Sequence, residues 1–208
     1  IVPSEGGTAR QLTSGRFNFA SYRGGQTVWS SDSKHIYVST NLDEDWEAEG
    51  YRQTDIFQIS IKDGSMDKLT NRDGPDGNPT PSPNGKYLAY TGFDNKMMAT
   101  QISHIYIMNL KTKKIQEIKT KLDRGVSNLS WSGDNKNIIF TYATEGNTKL
   151  AKTTLNGKTD IMASNLGRGY SIASNGKFVM LTTRPDIPSD LAVGNIKGGQ
   201  PKVITTVN

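Results

Sequence analysis

The chain has no cysteine in 208 residues. That excludes disulfides and thiolate metal sites, and it leaves the redox compartment open. Histidine is nearly absent too: with just His35 and His104 available, a catalytic triad is not expected. No apolar run approaches the ~20 residues that a membrane-spanning helix needs. A Lys/Arg block of five or more is also missing. The 25 basic residues are spread along the chain, and KTKK at 111–114 is their densest cluster. The pI near 9.3 is therefore read as solvated lysine on turns and strand edges, with no nucleic-acid partner expected. The chain opens at Ile1 with no Met and no signal-peptide pattern, which together with the repeat below suggests a piece of a longer product.

What the chain does contain is one phrase written four times: WSSDSKHIYVST from Trp29, PSPNGKYLAYTG from Pro81, WSGDNKNIIFTYA from Trp131 and IASNGKFVMLTT from Ile172. A small polar turn closes on Lys34, Lys86, Lys136 or Lys177, and an apolar run follows. Such recurrence marks a repeat architecture. Ser, Asp, Asn and Gly reverse the chain because they tolerate the backbone angles of tight turns. The next strand alternates with period two. Ile36/Val38, Leu88/Tyr90, Ile138/Phe140 and Val179/Leu181 are placed on one face, and Tyr37, Ala89, Ile139 and Met180 on the other. Apolar character on both faces suits a sheet packed between two neighbours.

A third strand aligns as DIFQISI, HIYIMNL, KLAKTTL and DLAVGNI. Hairpin turns including Asp63-Gly64 and Asn156-Gly157 lead on to an outer strand, MDKLT, IQEIK, TDIMA or PKVIT. Four strands per repeat of ~40–50 residues with no sustained helical period point to an all-β fold, a β-propeller. Blades are expected over residues 25–70, 78–119, 127–164 and 168–205. Residues 6–13, GGTARQLT, align with the last outer strand, GGQPKVIT. They read as the orphan outer strand of a missing blade, with 1–13 its remainder. Four blades plus an orphan strand make an arc of a larger ring. The bare faces of such an arc predict self-association.

Two connections between second and third strands are long, 41–54 and 93–103, and insertions on one side of a repeat protein are candidate binding elements. The first holds five carboxylates, Asp43, Glu44, Asp45, Glu47 and Glu49, around Trp46. Asp43, Glu44, Asp45, Trp46 and Glu47 form a candidate substrate-entry loop, able to hold a free amine by charge-assisted bonds. The alternative is a solvated acidic loop with Trp46 packed down as an anchor. The spacing does not fit a calcium loop, and no cofactor or metal is expected. The run Asp73–Pro79 is read as a connection between blades, since its prolines remove donors that a phosphate cradle needs. Met97 and Met98 are either an adaptable contact surface or covered by the next blade. Trp29 and Trp131 hold equivalent repeat positions and are both read as core. Ser30, Ser82 and Ser132 recur in the way of turn hydroxyls that bond the backbone.

The blade phrase, with DEDWE at 43–47, LTNRDGPDGNPTPSPNGKYLAYTG at 69–92, GNTKLA at 146–151 and RPDIPSDLAV at 184–193, resembles two groups of propellers. One is the periplasmic TolB-like propellers. The other is the propeller domain of prolyl oligopeptidase-family serine peptidases, in particular the acylaminoacyl-peptidase and dipeptidyl-peptidase-like branch. The second resemblance implies a noncatalytic domain that caps a hydrolase domain following it in the same polypeptide and restricts the active site to short peptides. No G-x-S-x-G elbow occurs in this sequence, so no catalytic residue is assigned. A TolB-like propeller that binds other proteins is the alternative, and a propeller that senses a small ligand is a third. No membrane insertion is expected.

Overall fold

A computed structural model describes residues 1–14, 27–42 and 53–206. Among these residues sixteen strands form four sheets, each an antiparallel meander in chain order. The first blade holds β1 (Val28–Trp29), β2 (His35–Thr40), β3 (Asp55–Ser60) and β4 (Met66–Lys68). The second holds β5 (Asp76–Pro81), β6 (Tyr87–Gly92), β7 (His104–Asn109) and β8 (Ile115–Ile118). β9 (Val126–Trp131), β10 (Asn137–Thr144), β11 (Asn147–Thr154) and β12 (Thr159–Ala163) make the third. β13 (Leu166–Ile172), β14 (Lys177–Arg184), β15 (Ile187–Asn195) and β16 (Lys202–Val203) make the fourth. Among the described residues there is no helix.

The meander puts the β1–β2 and β3–β4 type of turn at one end of every blade, and the β2–β3 and blade-to-blade connections at the other. The repeated phrase is explained at the turn end. Ser132 Oγ donates to Asp134 Oδ1 (2.6 Å) and accepts from Asn137 N (2.9 Å), while Asp134 also accepts from Lys136 N (3.0 Å). Ser30 with Asp32, and Ser82 with Asn84, repeat this arrangement. The hydroxyl and the carboxylate or amide satisfy turn N–H groups that no strand can reach.

Cores form between blades. Tyr37 and Ile56 of the first meet Leu88, Tyr90 and Met108 of the second. Ala89, Ile105 and Ile107 of the second meet Ile138, Phe140 and Tyr142 of the third. Ile139 and Leu150 of the third meet Phe178, Met180 and Ala192 of the fourth. The fourth blade departs from the expected alternation. Phe178 and Met180 occupy the face that Leu88/Tyr90 and Ile138/Phe140 predict for Val179/Leu181. The cause is a turn shorter by one residue: Ala173 N bonds Lys177 O, whereas Ser132 N bonds Asn137 O. A one-residue change flips every following side chain. Val179, Leu181, Leu191 and Val193 consequently share the far face, which lies against no described sheet.

Two inner strands carry a β-bulge at equivalent asparagines, Asn78 (φ 53°) and Asn128 (φ 52°). Each amide bonds a threonine of the adjacent strand, Thr91 at 3.0 Å and Thr141 at 3.1 Å. Asparagine tolerates this left-handed geometry better than most residues.

Side chains also stitch one blade to the next. Trp131 Nε1 donates to Thr80 O at 2.8 Å, Tyr170 Oη to Asn128 O at 2.7 Å and Lys152 Nζ to Ile196 O at 2.6 Å. Trp131 is buried accordingly. Trp29, expected in the core by repeat logic, is 52% exposed, because no described sheet lies on the side where Trp131 finds its acceptor. Residues 6–13 belong to none of the four sheets and have no strand assignment. They pack against the outer turn of the first blade. Arg10 donates to the carbonyls of Ile61 and Lys62. Gly64 packs on the carbonyl of Leu12 as Gly157 packs on that of Lys119, at the end of β8.

Candidate functional site

The end opposite the turns gathers the two long connections, and a partly buried cation, Arg72, organises them. Arg72 follows β4 in the connection to the second blade. Its guanidinium donates to Asp76 Oδ1 at 2.5 Å, reaches Asp94 at 3.6 Å and stacks 3.7 Å above the ring centre of Tyr106. Tyr90 stacks on Tyr106 with 5.4 Å between centroids. Arginine suits such a place, since its planar, weakly hydrated cation pairs and stacks at once.

The backbone around the pair is tied to both long connections. Gln53 Nε2 donates to Arg72 O and Gln53 Oε1 accepts from Gly74 N, both at 2.8 Å. Asp76 N donates to Thr54 O at 2.8 Å, and Asp76 O accepts from Thr54 Oγ1 at 3.1 Å and Ser39 Oγ at 2.6 Å. Asn95 N, in the 93–103 connection, donates to Asp73 O at 2.8 Å. Gly92 lets the strands close here: a Cβ on it would stand 2.7 Å from Pro75 O and overlap the Asp76 carboxylate.

Burial dominates the electrostatics. The Asp76 side chain is 1% exposed, and desolvation pushes its carboxyl up to about 6, against the opposing pull of Arg72 and Thr70. Burial raises the Tyr90 and Tyr106 hydroxyls as well. Asp76 Oδ2, Arg72 Nε and the Tyr90 hydroxyl are buried without a hydrogen-bond partner among the described residues. Nearby, Asp55 pairs with Lys68 at 2.7 Å and accepts from Thr70 Oγ1 at 3.2 Å. Perturbed carboxylates beside specific charge partners concentrate at functional sites.

Asp43, Glu44, Asp45, Trp46 and Glu47 lie outside the described residues. The chain that follows them, Gln53 and Thr54, is fastened to this hub. Met97 and Met98 are exposed (87% and 55%) in the 93–103 connection at the same end. Asp73–Pro79 is a blade connection only as far as Pro75, because Asp76 already begins β5. His35 starts β2 at the turn end, and His104 starts β7 at the opposite end, 3.4 Å from Glu117. The two histidines therefore cannot act together. Among the described residues no cluster of His, Asp and Glu has metal-binding geometry. A cleft of about 410 Å³ opens between β12 and the fourth blade, with Met180, Arg184 and Pro201 in its lining.

The sequence reading passed over Arg72, Asp76, Tyr90 and Tyr106. A signal was present, since Arg72 and Asp76 are four residues apart in the quoted stretch LTNRDGPDGNP.

Four side-by-side meander sheets of this kind define a β-propeller. No family profile matches the chain. Dipeptidyl-peptidase 5 of Porphyromonas gingivalis is 24% identical over 183 residues, which is 86% of this chain and 27% of that protein. TolB of Acinetobacter baumannii has the same fold over 98% of this chain and 47% of its own, with a TM-score of 0.66 and 19% identity. A structure of prolyl endopeptidases matches over 88% of this chain and 28% of its own, with a TM-score of 0.63 and 14% identity. The chain thus spans about a quarter of its curated peptidase relative.

Proposed function

We propose that the chain is the noncatalytic propeller portion of a serine peptidase, and that it gates and positions short peptides for a hydrolase domain elsewhere in the same polypeptide. The observation that carries this reading is the match to dipeptidyl-peptidase 5, which runs through most of this chain yet takes up only 27% of that protein. The solved prolyl endopeptidases are described as using inter-domain dynamics in catalysis and specificity, and a gating propeller is in keeping with that.

In this reading the Arg72 hub holds the roots of both long connections stiff where peptides pass. The loop of Asp43, Glu44, Asp45, Trp46 and Glu47 is the substrate entry, and its carboxylates hold the peptide's free amine. The test uses the complete parent polypeptide. A fluorophosphonate probe should label a single serine in it. The D43N/E44Q/D45N variant should lose about tenfold in kcat/KM on dipeptide substrates with free amines, and little on the acetylated ones. No labelling would remove the peptidase reading. Labelling with unchanged preference for free amines would remove only the role of the acidic loop.

The TolB match, which covers 98% of the chain, favours a second reading as a protein-binding propeller. An unlabelled parent that retains a protein partner through this end would establish it.

A further inference from the structure

The lysines that look evenly spread in sequence are gathered in space. The inner turns, at 31–34, 83–86, 133–136 and 174–177, carry Lys34, Lys86, Lys136 and Lys177. The outer turns, at 61–65, 110–114, 155–158 and 196–199, carry Lys62, Lys111, Lys113, Lys114, Lys158 and Lys197. All ten are exposed and all lie at the turn end. Within these turn segments only three residues are acidic, Asp32, Asp63 and Asp134, and each caps its own turn. The remaining chain holds 15 basic and 17 acidic residues, so the whole positive excess resides on the turns. None of the ten lysines is in an ion pair among the described residues.

The turns are also fixed relative to one another. Ser31 Oγ donates to Ser82 O at 2.6 Å, Asn84 N donates to Asn135 Oδ1 at 2.9 Å, and Gly133 packs on the backbone of Ser174. Within blades, Ile61 N bonds Lys34 O, Leu110 N bonds Lys86 O and Ile196 N bonds Gly176 O. Inner and outer turns thus form a continuous two-row array across four blades.

We propose that this lysine array is a docking surface for a planar anionic layer, a lipid bilayer rich in anionic headgroups. The composition favours a bilayer over nucleic acid. The turn segments hold no aromatic to stack on bases, and Arg10, which reaches this end, has its guanidinium engaged by the carbonyls of Ile61 and Lys62, where a fork onto phosphates or base edges would need it free. Two rows spread over several blades match a plane, where a strand-binding protein would present a groove. Each lysine held near an anionic leaflet raises partitioning roughly fivefold. Adsorption of this kind needs no insertion, and it is independent of the peptidase reading.

The test is co-sedimentation of the full chain with phosphatidylcholine vesicles, with and without about 30% phosphatidylglycerol. Binding is expected to the anionic vesicles alone, falling at least tenfold between about 50 mM and about 500 mM salt. K111E/K113E/K114E should weaken it by at least tenfold, and the milder K111Q/K113Q/K114Q should weaken it less, with circular dichroism confirming the fold. K96Q/K121Q, at the opposite end, should change it by less than about twofold. No binding at low salt, equal binding by the charge-reversed variant, or preferential binding to duplex DNA would each overturn the proposal.

Discussion

Phe178 and Gly194 face each other across β14 and β15, and the phenyl ring fills the space that a side chain on the glycine would need. A Cβ there would stand 2.6 Å from ring Cε1. This pair sustains the shifted alternation of the fourth blade, because it seats the largest side chain of β14 on the third blade. Gly194→Ala is expected to expel the ring and destabilise the chain by about 2 kcal/mol, the usual cost of overpacking. Urea unfolding checks it. A loss under about 0.5 kcal/mol would mean the ring is not what fixes the register.

Trp131 and Trp29 occupy one repeat position in two environments. Trp131→Phe removes the bond to Thr80 and is expected to cost about 1 kcal/mol. Trp29→Phe should stay within about 0.5 kcal/mol, as exposed substitutions do. Paired denaturation curves decide this, and equal effects would contradict the placement of the two rings.

Gly92→Ala should break the Arg72–Asp76 pair by driving a Cβ into the Asp76 carboxylate and Pro75 O. Leaving a buried charge without its partner is expected to cost about 3 kcal/mol. Gly169→Ala, with nothing within 4 Å of the added carbon, is the matched control and should be close to neutral. Thermal melts of the two variants give the comparison.

Asp76 should impose an unusual pH dependence. Its carboxyl is raised from 3.8 to about 6, so between about pH 4 and about pH 6 the folded chain holds a proton that the unfolded chain has released. Stability from this group is present at the acid end of that window and is lost as pH rises through it. The shift corresponds to about 3 kcal/mol. Asp76→Asn should abolish the slope, which the difference in Tm between wild type and variant across pH 4–7 will show. Asp63 works in the opposite sense. Its turn hydrogen bonds hold its carboxyl at about 2, so its contribution is lost as pH falls through that value.

The blade count and strand order could be read from the sequence because each is a local regularity repeated four times, and the turn hydroxyls because theirs recurs in three of the four turns. Ser30, Ser82 and Ser132 announce their bonds to residues two and five positions on. The shift in the fourth blade was hidden by Lys177, which aligns in sequence with Lys34, Lys86 and Lys136 although the turn before it closes one residue earlier. The Arg72 hub was hidden for another reason. Arg72, Tyr90 and Tyr106 come from three different segments, and no periodicity links a connection to the strands it later covers. Runs of charge along the chain do not reveal the lysines of the turns, because a meander collects alternate turns at one end.

The bonds from Ser31 to Ser82, and from Asn84 to Asn135, reach only from each turn to the next one along the arc. Cooperativity in such a chain decays with distance from the point of disturbance, as in a row of coupled spins. In this chain taken by itself, opening is expected to begin at the first and fourth blades, each of which packs on one described sheet, and to reach the second and third blades last. Amide protons of β6, β7, β10 and β11 should then be the slowest to exchange with deuterium. A graded protection profile along the arc, in place of a single global rate, would be the kinetic imprint of those short stitches.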